Sequence, residues 1–413
     1  MIPDQGAERP VDVVAHLPYY VHTAVALHRA GLLHRFVSAP MSPHPSPLAR
    51  VPGLGGLGGY YNRTRVDPRL AGVPMRRMWA AQTVALTAQR LAMRTGRGTA
   101  LALRSALWDR AGRLHLRGPS RPESWIVHGL SGIMAGTAAW ARRRGALVVC
   151  DVRAAHPRAM HRHVTEVLRR RGVRYEPPDA GIVGRMEREF GLSDVLVCNS
   201  EYTRRSFLAE GFDPARVVAV PLGCDVERFR PADRRPEQFT VLFVGRDSYR
   251  KGLLDLLEAA RALPRGTRLL VAGEIDSTSR GVLVGLGIEV EVLGGVGADE
   301  MAVLYHRASV LALPSLSEAF GMVVLEAMAS GVPVVISDQV GAGDVVTDGV
   351  DGFVVPVGDT EALAERLLAL SRDRVLVEAM SRHARRAAEG NTWDHYGERL
   401  VQAYREVVLP LTR

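Results

Sequence analysis

Lysine is almost missing from this chain: of 53 basic residues, Lys251 is the single lysine and the rest are arginine. An arginine-rich coding bias has replaced it elsewhere, so an ammonium retained at position 251 points to a requirement there. Cysteine is scarce as well. Cys150, Cys198 and Cys224 each lie inside or beside an apolar stretch. Three is too few, and odd, for a disulfide framework, and their spacing is not that of metal ligands. They read as buried thiols in a reducing compartment, which predicts a cytoplasmic protein. No apolar run approaches the roughly 18 residues of a membrane helix. The N-terminus offers no basic segment followed by an apolar core, so no signal peptide is expected. Asp-x-Asp, a common carrier of bridging metal, does not occur.

What is present describes a globular chain of 413 residues, 47% apolar and 23% charged. That length predicts two domains of roughly 200 residues each. The net charge of +9 is unevenly spread: residues 1–225 carry 32 basic against 17 acidic side chains, while the remainder is net acidic. This asymmetry argues against nucleic acid as a partner. It predicts that the N-terminal half meets something anionic, either a phospholipid surface or an acidic acceptor.

Along the chain, the apolar run 11–15, a loop and an amphipathic stretch ending at Gly31 read as strand, loop and helix. Residues 39–73, rich in Pro and Gly, read as a long functional loop. The stretch 74–121, with ten arginines and Asp109 as its one acid, reads as helical. Strands recur at 125–127 before His128, at 146–150 before Asp151, at 194–199 and at 217–221. The second half alternates more regularly, with apolar strands at 239–244, 268–272, 289–293, 310–313 and 332–336 and helical patterns between most of them. Such alternation implies parallel, doubly wound sheets. The predicted division is an N-terminal domain over 1–225, a second domain over 226–390 and a C-terminal helix, 391–413, anchored by Trp393, Tyr396 and Tyr404 and packing back across the junction.

The densest signal is Ser317-Glu318-Ala319-Phe320-Gly321-Met322-Val323-Val324-Leu325-Glu326, which follows the strand at 310–313. Gly321 permits a tight turn into a helix whose first N–H groups have no intrahelical partner. Such a terminus suits a diphosphate. Glu318 and Glu326 lie eight residues apart, roughly 12 Å at helical rise, and carboxylates accept paired hydrogen bonds from vicinal diols. One glutamate by itself is better explained as a solvated acid favoured by the helix dipole; the whole string is not. A second element, Gly245-Arg246 through Lys251-Gly252, delivers two cations to the C-terminal end of the strand at 239–244, the ligand side of an open α/β sheet. Two cations there would neutralise a diphosphate and stabilise it as a leaving group.

Taken together with Val220-Pro221-Leu222-Gly223-Cys224-Asp225 and Asp351-Gly352-Phe353-Val354-Val355-Pro356, these motifs resemble the family 4 retaining glycosyltransferases of the GT-B fold, strongly over about residues 190–410 and loosely before that. The resemblance implies two Rossmann-like domains facing across a cleft. It implies a nucleoside diphosphate sugar as co-substrate, with its diphosphate held by Arg246, Lys251 and the backbone of Phe320, Gly321, Met322 and Val323. Glu318 would then meet the donor sugar and Glu326 the ribose. Transfer to an acceptor hydroxyl of a small molecule, glycan or lipid-linked molecule would retain anomeric configuration and need no metal or other cofactor. One departure is the linker, where the usual Asn-Gly is Leu222-Gly223.

Many relatives carry a histidine after the strand that ends near residue 150. Here Asp151 takes that place, with His156 five residues on, similar to a subgroup having Asp-Arg-Gly-Ser-Ser-His. Asp151 and His156 are thus candidates beside Glu318 for orienting acceptor or donor sugar, and His16 and His128 for the acceptor edge. A loop-capping role for each is the competing reading. Gly53–Gly58 matches G-x-G-x-x-G but lacks the flanking strand and helix that a dinucleotide site needs, so a mobile acceptor loop is the better reading. The arginine-rich 74–121 stretch reads either as a surface for anionic lipid or as a solvated face in an arginine-biased protein. Two rival functions share the scaffold: a nucleotide-sugar epimerase or hydrolase, and a catalytically silent lipid- or partner-binding protein.

Overall fold

The computed structural model describes residues 10–15, 20–38, 67–78, 97–116, 124–176, 178–246, 249–275, 277–283 and 285–412. In the first half the order is β1 (Val11–Ala15), α1 (Tyr20–Arg29), β2 (Leu33–Ser38), β3 (Met75–Arg77), α2 (Arg97–Leu116), β4 (Ile126–Leu130), α3 (Ala135–Arg142), β5 (Leu147–Val152), α4 (Pro157–Arg169), α5 (Ala180–Leu192), β6 (Val195–Cys198), α6 (Glu201–Leu208) and β7 (Val217–Ala219). The second half runs β8 (Thr240–Val244), α7 (Leu253–Ala260), β9 (Arg268–Ala272), α8 (Ser277–Leu283), β10 (Glu289–Gly294), α9 (Ala298–His306), β11 (Val310–Leu313), α10 (Met322–Ala329), β12 (Val334–Ser337), β13 (Gly352–Val355), α11 (Thr360–Arg372), α12 (Arg374–Glu389) and α13 (Trp393–Ala403).

The strands form two parallel sheets, β3-β2-β1-β4-β5-β6-β7 and β10-β9-β8-β11-β12-β13. Central strands such as Thr240–Val244 and Val310–Leu313 are buried along nearly their whole length. A parallel sheet covered by helices on both faces selects for such unbroken apolar runs. Helix starts are set locally: Asp179, Ser200, Asp359, Asp373 and Thr392 each accept a backbone N–H from the first turn that follows. Each sheet reverses its strand order beside its first strand, between β1 and β4 and between β8 and β11. Open α/β sheets bind ligands outside the strand C-termini at that reversal. Two doubly wound sheets facing one another are the GT-B arrangement expected from the sequence.

α13 crosses back to the first half. It packs on α1, where the Thr23 and Tyr396 hydroxyls meet at 2.9 Å and Arg29 pairs with Asp394 at 2.9 Å. Tyr404, just beyond α13, is fully buried. The linker is threaded under this crossing, with Cys224 bridged to Thr392. Leu222 is buried there, which suits an apolar residue in the linker turn.

Two expectations change. Met75–Arg77 is not helical; it is a strand at the sheet edge, pairing in parallel with β2. Helix occupies 97–116 within the arginine-rich stretch; 79–96 and 117–121 lie outside the described residues, as do Gly53–Gly58 and most of the 39–73 loop. His128 does not follow a strand but sits in the middle of β4. Among the described residues no helix is long and apolar enough to cross a membrane.

Candidate functional site

At the reversal point of the second sheet, β8 ends at Val244 and the chain passes Gly245 and Arg246 before returning through Lys251 into α7. Arg246 is exposed at the strand end. Gly252 caps α7 with φ +73°, and a Cβ there would lie 2.0 Å from the Pro314 carbonyl oxygen. The turn therefore seats against the end of β11 only because position 252 has no side chain. Across that seat the Lys251 ammonium forms an ion pair with Glu318. Arg250 lies 3.8 Å from the same carboxylate and donates to the Ser317 carbonyl at 2.6 Å. Sequence reasoning assigned Lys251 and Glu318 to different parts of a ligand; the fold brings them into contact. It also adds Arg250, whose only sequence signal was its place beside Lys251.

The loop bearing Glu318 is fixed on both sides. Within its own half, the Glu318 N–H donates to the Gln339 carbonyl at 3.0 Å and its carbonyl accepts from Gly341 at 2.9 Å. From the first half, Tyr202 donates to Ser317 Oγ at 2.7 Å, Ser200 donates to the Ala319 carbonyl at 2.5 Å, and Asp344 accepts from the Glu201 N–H at 2.7 Å. Gly321, at φ +89°, turns the chain into α10, and no side chain caps that helix. The first turn of α10 contains no acid either, so its positive end faces the Lys251–Glu318 pair uncompensated by carboxylate of its own. Met322 and Val323 are half-buried, whereas the Phe320 side chain is buried in the core and its carbonyl accepts from the Ala342 N–H at 2.6 Å. Glu326, further along α10, accepts from the Tyr305 hydroxyl at 2.8 Å. Burial raises its carboxyl, opposed by that hydrogen bond and by Arg228.

The N-terminal candidates are arranged differently. Asp151 lies inside β5 and is 1% exposed. Its carboxylate meets His128 Nε2 at 3.3 Å and Arg153 at 2.7 Å, and His128 Nδ1 meets the Tyr404 hydroxyl at 2.7 Å. Burial by itself would raise Asp151, but Arg153 and His128 hold it below the usual carboxylate range. Arg153 lies over the Tyr20 ring at 5.2 Å and the Tyr396 ring at 6.0 Å. This closed network ties the reversal point of the first sheet to the C-terminal crossing. His156 is not part of it. Its ring lies among Phe190, Phe207 and Phe212, with centroids 5.1 to 5.8 Å away, and burial lowers its basicity. His16 lies outside the described residues.

A further feature of the first half escaped sequence reasoning. α3 follows β4 as α10 follows β11, yet its N-terminus is filled. Glu189 accepts from the N–H groups of Gly132, Met134 and Ala135, the last two at 2.8 and 3.0 Å. Asp109 accepts from Gly136 at 2.6 Å and Thr137 at 2.7 Å. Burial pushes the Glu189 carboxyl up to about 7 against the pull of those donors. Asp109 stands out in sequence as the one acid of 74–121, but nothing local to either acid shows that it reaches α3, since each arrives from a different helix. Among the described residues no group of three His, Cys, Asp or Glu is disposed to hold a metal ion.

Residues 225–387 match the family model described as glycosyl transferases group 1. A D-inositol 3-phosphate glycosyltransferase of Mycobacterium avium (strain 104) is 34% identical over 240 residues, covering 53% of this chain and 56% of that protein. The chain spans about half the length of the curated relatives it matches. Among solved structures, sucrose-phosphate synthase from Thermosynechococcus elongatus superposes with a TM-score of 0.66 at 19% identity, over 97% of this chain and 100% of that one. A mutant of S. aureus TarM, solved with fondaparinux, alpha-GlcNAc-glycerol and UDP, gives 0.65 at 10% identity, over 97% and 100%. At such identities the likeness is one of fold.

Proposed function

We propose that the whole chain transfers a sugar from a nucleoside diphosphate donor to an acceptor hydroxyl, with retention and without a metal, a reading supported by the match of residues 225–387 to the model for glycosyl transferases group 1. The observation that carries this reading is the uncapped start of α10 at Gly321 beside the Lys251 ammonium. Breaking the bond between the anomeric carbon and the diphosphate builds negative charge on the departing oxygen. A helix N-terminus and an ammonium held in fixed positions stabilise that charge without reorganising. Two cations at one diphosphate, Lys251 with Arg246 or Arg250, do the work a bridging metal would otherwise do, which supports metal independence. Glu318 and Glu326 then accept from sugar and ribose hydroxyls. The donor half is 226–390, the acceptor docks on 1–225, and 391–413 spans the two.

Asp151 enters this reading as a positioning group. Its carboxylate is occupied by His128 and Arg153, so it shapes the acceptor edge from beneath rather than touching sugar. A thermal-shift panel of UDP-, GDP-, ADP- and TDP-sugars tests the proposal, because a ligand that binds only the folded state raises its apparent stability. A clear shift with one base is expected. The absence of any shift, with no donor consumed when candidate acceptors are added, would overturn the reading.

A further inference from the structure

One helix of the acceptor half rests on the donor machinery. On α4 and just past its end, Met160, His163, Val164, Val167, Leu168 and Arg171 recur at three- and four-residue steps and so share one face. Val164 and Leu168 are fully buried against Leu316, in a cluster that also takes in Tyr249 and Val357 from the other half. Arg171 pairs with Asp255, reaches Glu258 at 3.4 Å and donates to the Gly358 carbonyl at 3.2 Å.

The Leu316 and Tyr249 contacts fall on the two short segments that carry the candidate donor residues, while Arg171 reaches α7 and the 357–358 stretch. Tyr249 opens the turn that ends in Lys251, and Leu316 stands two residues before Glu318. The two segments are tied to each other, since the Leu316 N–H donates to the Arg250 carbonyl at 2.8 Å. Asp255 lies in the first turn of α7, the helix that Lys251 immediately precedes. A guanidinium on Asp255 therefore fixes the helix start that aims the ammonium.

We infer that Arg171, carried by the acceptor half, is a positioning residue for the donor site: with the apolar face of α4 it pre-sets the Lys251 turn and the Glu318 loop for a nucleoside diphosphate. The inference rests on the donor reading above. Its physical content is that ordering these two segments in advance lowers the cost of ordering them on binding.

Calorimetric titration of UDP, GDP, ADP and TDP into the full chain and its variants provides the test. For whichever nucleotide binds the wild type, Arg171→Ala should weaken affinity about tenfold, and Arg171→Lys should recover part of the loss. Arg169→Ala, on the exposed side of the same helix, should leave affinity unchanged. Removing Arg171 strands the buried Asp255 carboxylate, so Asp255→Asn in the Arg171→Ala background should restore thermal stability while affinity stays low. Wild-type affinity in Arg171→Ala, or its full return in the double variant, would overturn the inference while leaving the donor reading intact. A wild type that binds none of the four nucleotides would overturn the donor reading, and this inference with it.

Discussion

Two helices begin at matching points of the two sheets, and their first turns are treated in opposite ways. α3 leaves the strand beside β1, and α10 leaves the strand beside β8. Both present N–H groups that no residue of their own helix can satisfy. In α3 those groups are spent inside the protein on Glu189 and Asp109. In α10 no side chain caps the helix, the chain turns in through a left-handed glycine, and a lysine stands alongside. One terminus is a structural joint between three helices; the other has no side-chain cap, and the proposed reading gives it the donor diphosphate. Similar folds on both sides of a cleft thus become unlike in chemistry through where two carboxylates point.

The comparison can be broken most directly at Lys251. Lys251→Ala should lower turnover by about a hundredfold or more, the scale of losing one preorganised donor to a developing oxyanion, measured as steady-state kcat with the preferred donor. Next is Gly321→Ala. A left-handed conformation costs a residue with a Cβ roughly 1–2 kcal/mol, and that Cβ would lie 3.1 Å from Glu318 Cγ. About tenfold weaker nucleoside diphosphate binding is expected, and unchanged affinity would mean that α10 does not receive the diphosphate.

The sealed terminus should answer to stability rather than ligand. Asp109→Ala leaves two N–H groups of α3 without their acceptor and should cost about 1–3 kcal/mol in denaturant unfolding, with nucleotide affinity unmoved. Glu189 carries a pH signature. Its folded carboxyl stands at about 7 against an ordinary 4.5, so between those values the folded state binds more protons than the unfolded chain. The stability it contributes is complete below about 4.5 and is lost as pH rises to about 7, by at most about 1.4 kcal/mol per pH unit. Relative to Glu189→Gln, the wild type should lose stability over that window, and a difference that stays flat with pH would sink the assignment. The smallest effect expected is that sulfate stabilises Glu189→Ala slightly more than wild type, because the emptied α3 terminus becomes an anion site of its own.

How much of this was legible in the order of residues varies from element to element. The apolar runs that became β8, β9, β11 and β12 stood out because a parallel strand buried on both faces leaves no polar alternation to blur it. β3 did not. Of its three residues, Met75–Arg77, the two arginines are exposed, and they are strand only because β2 offers them an edge. The histidines misled for a related reason. His128 and His156 look like cleft residues from their neighbours in sequence, but one is engaged by a tyrosine 276 positions away and the other by three phenylalanines from α5 and the α6 region.

The sequence by itself determined the alternation that makes two parallel sheets, the glycine that turns into α10, and the position of the one ammonium. Those are local: they depend on backbone conformation, apolar period and residue type within a few positions. Only the tertiary structure decided which carboxylates would be consumed inside the fold and which would face the cleft. It also decided that Lys251 and Glu318 meet, and that a helix of the first half braces them both. Burial and pairing are properties of groups far apart along the chain, and no short window of sequence contains both partners.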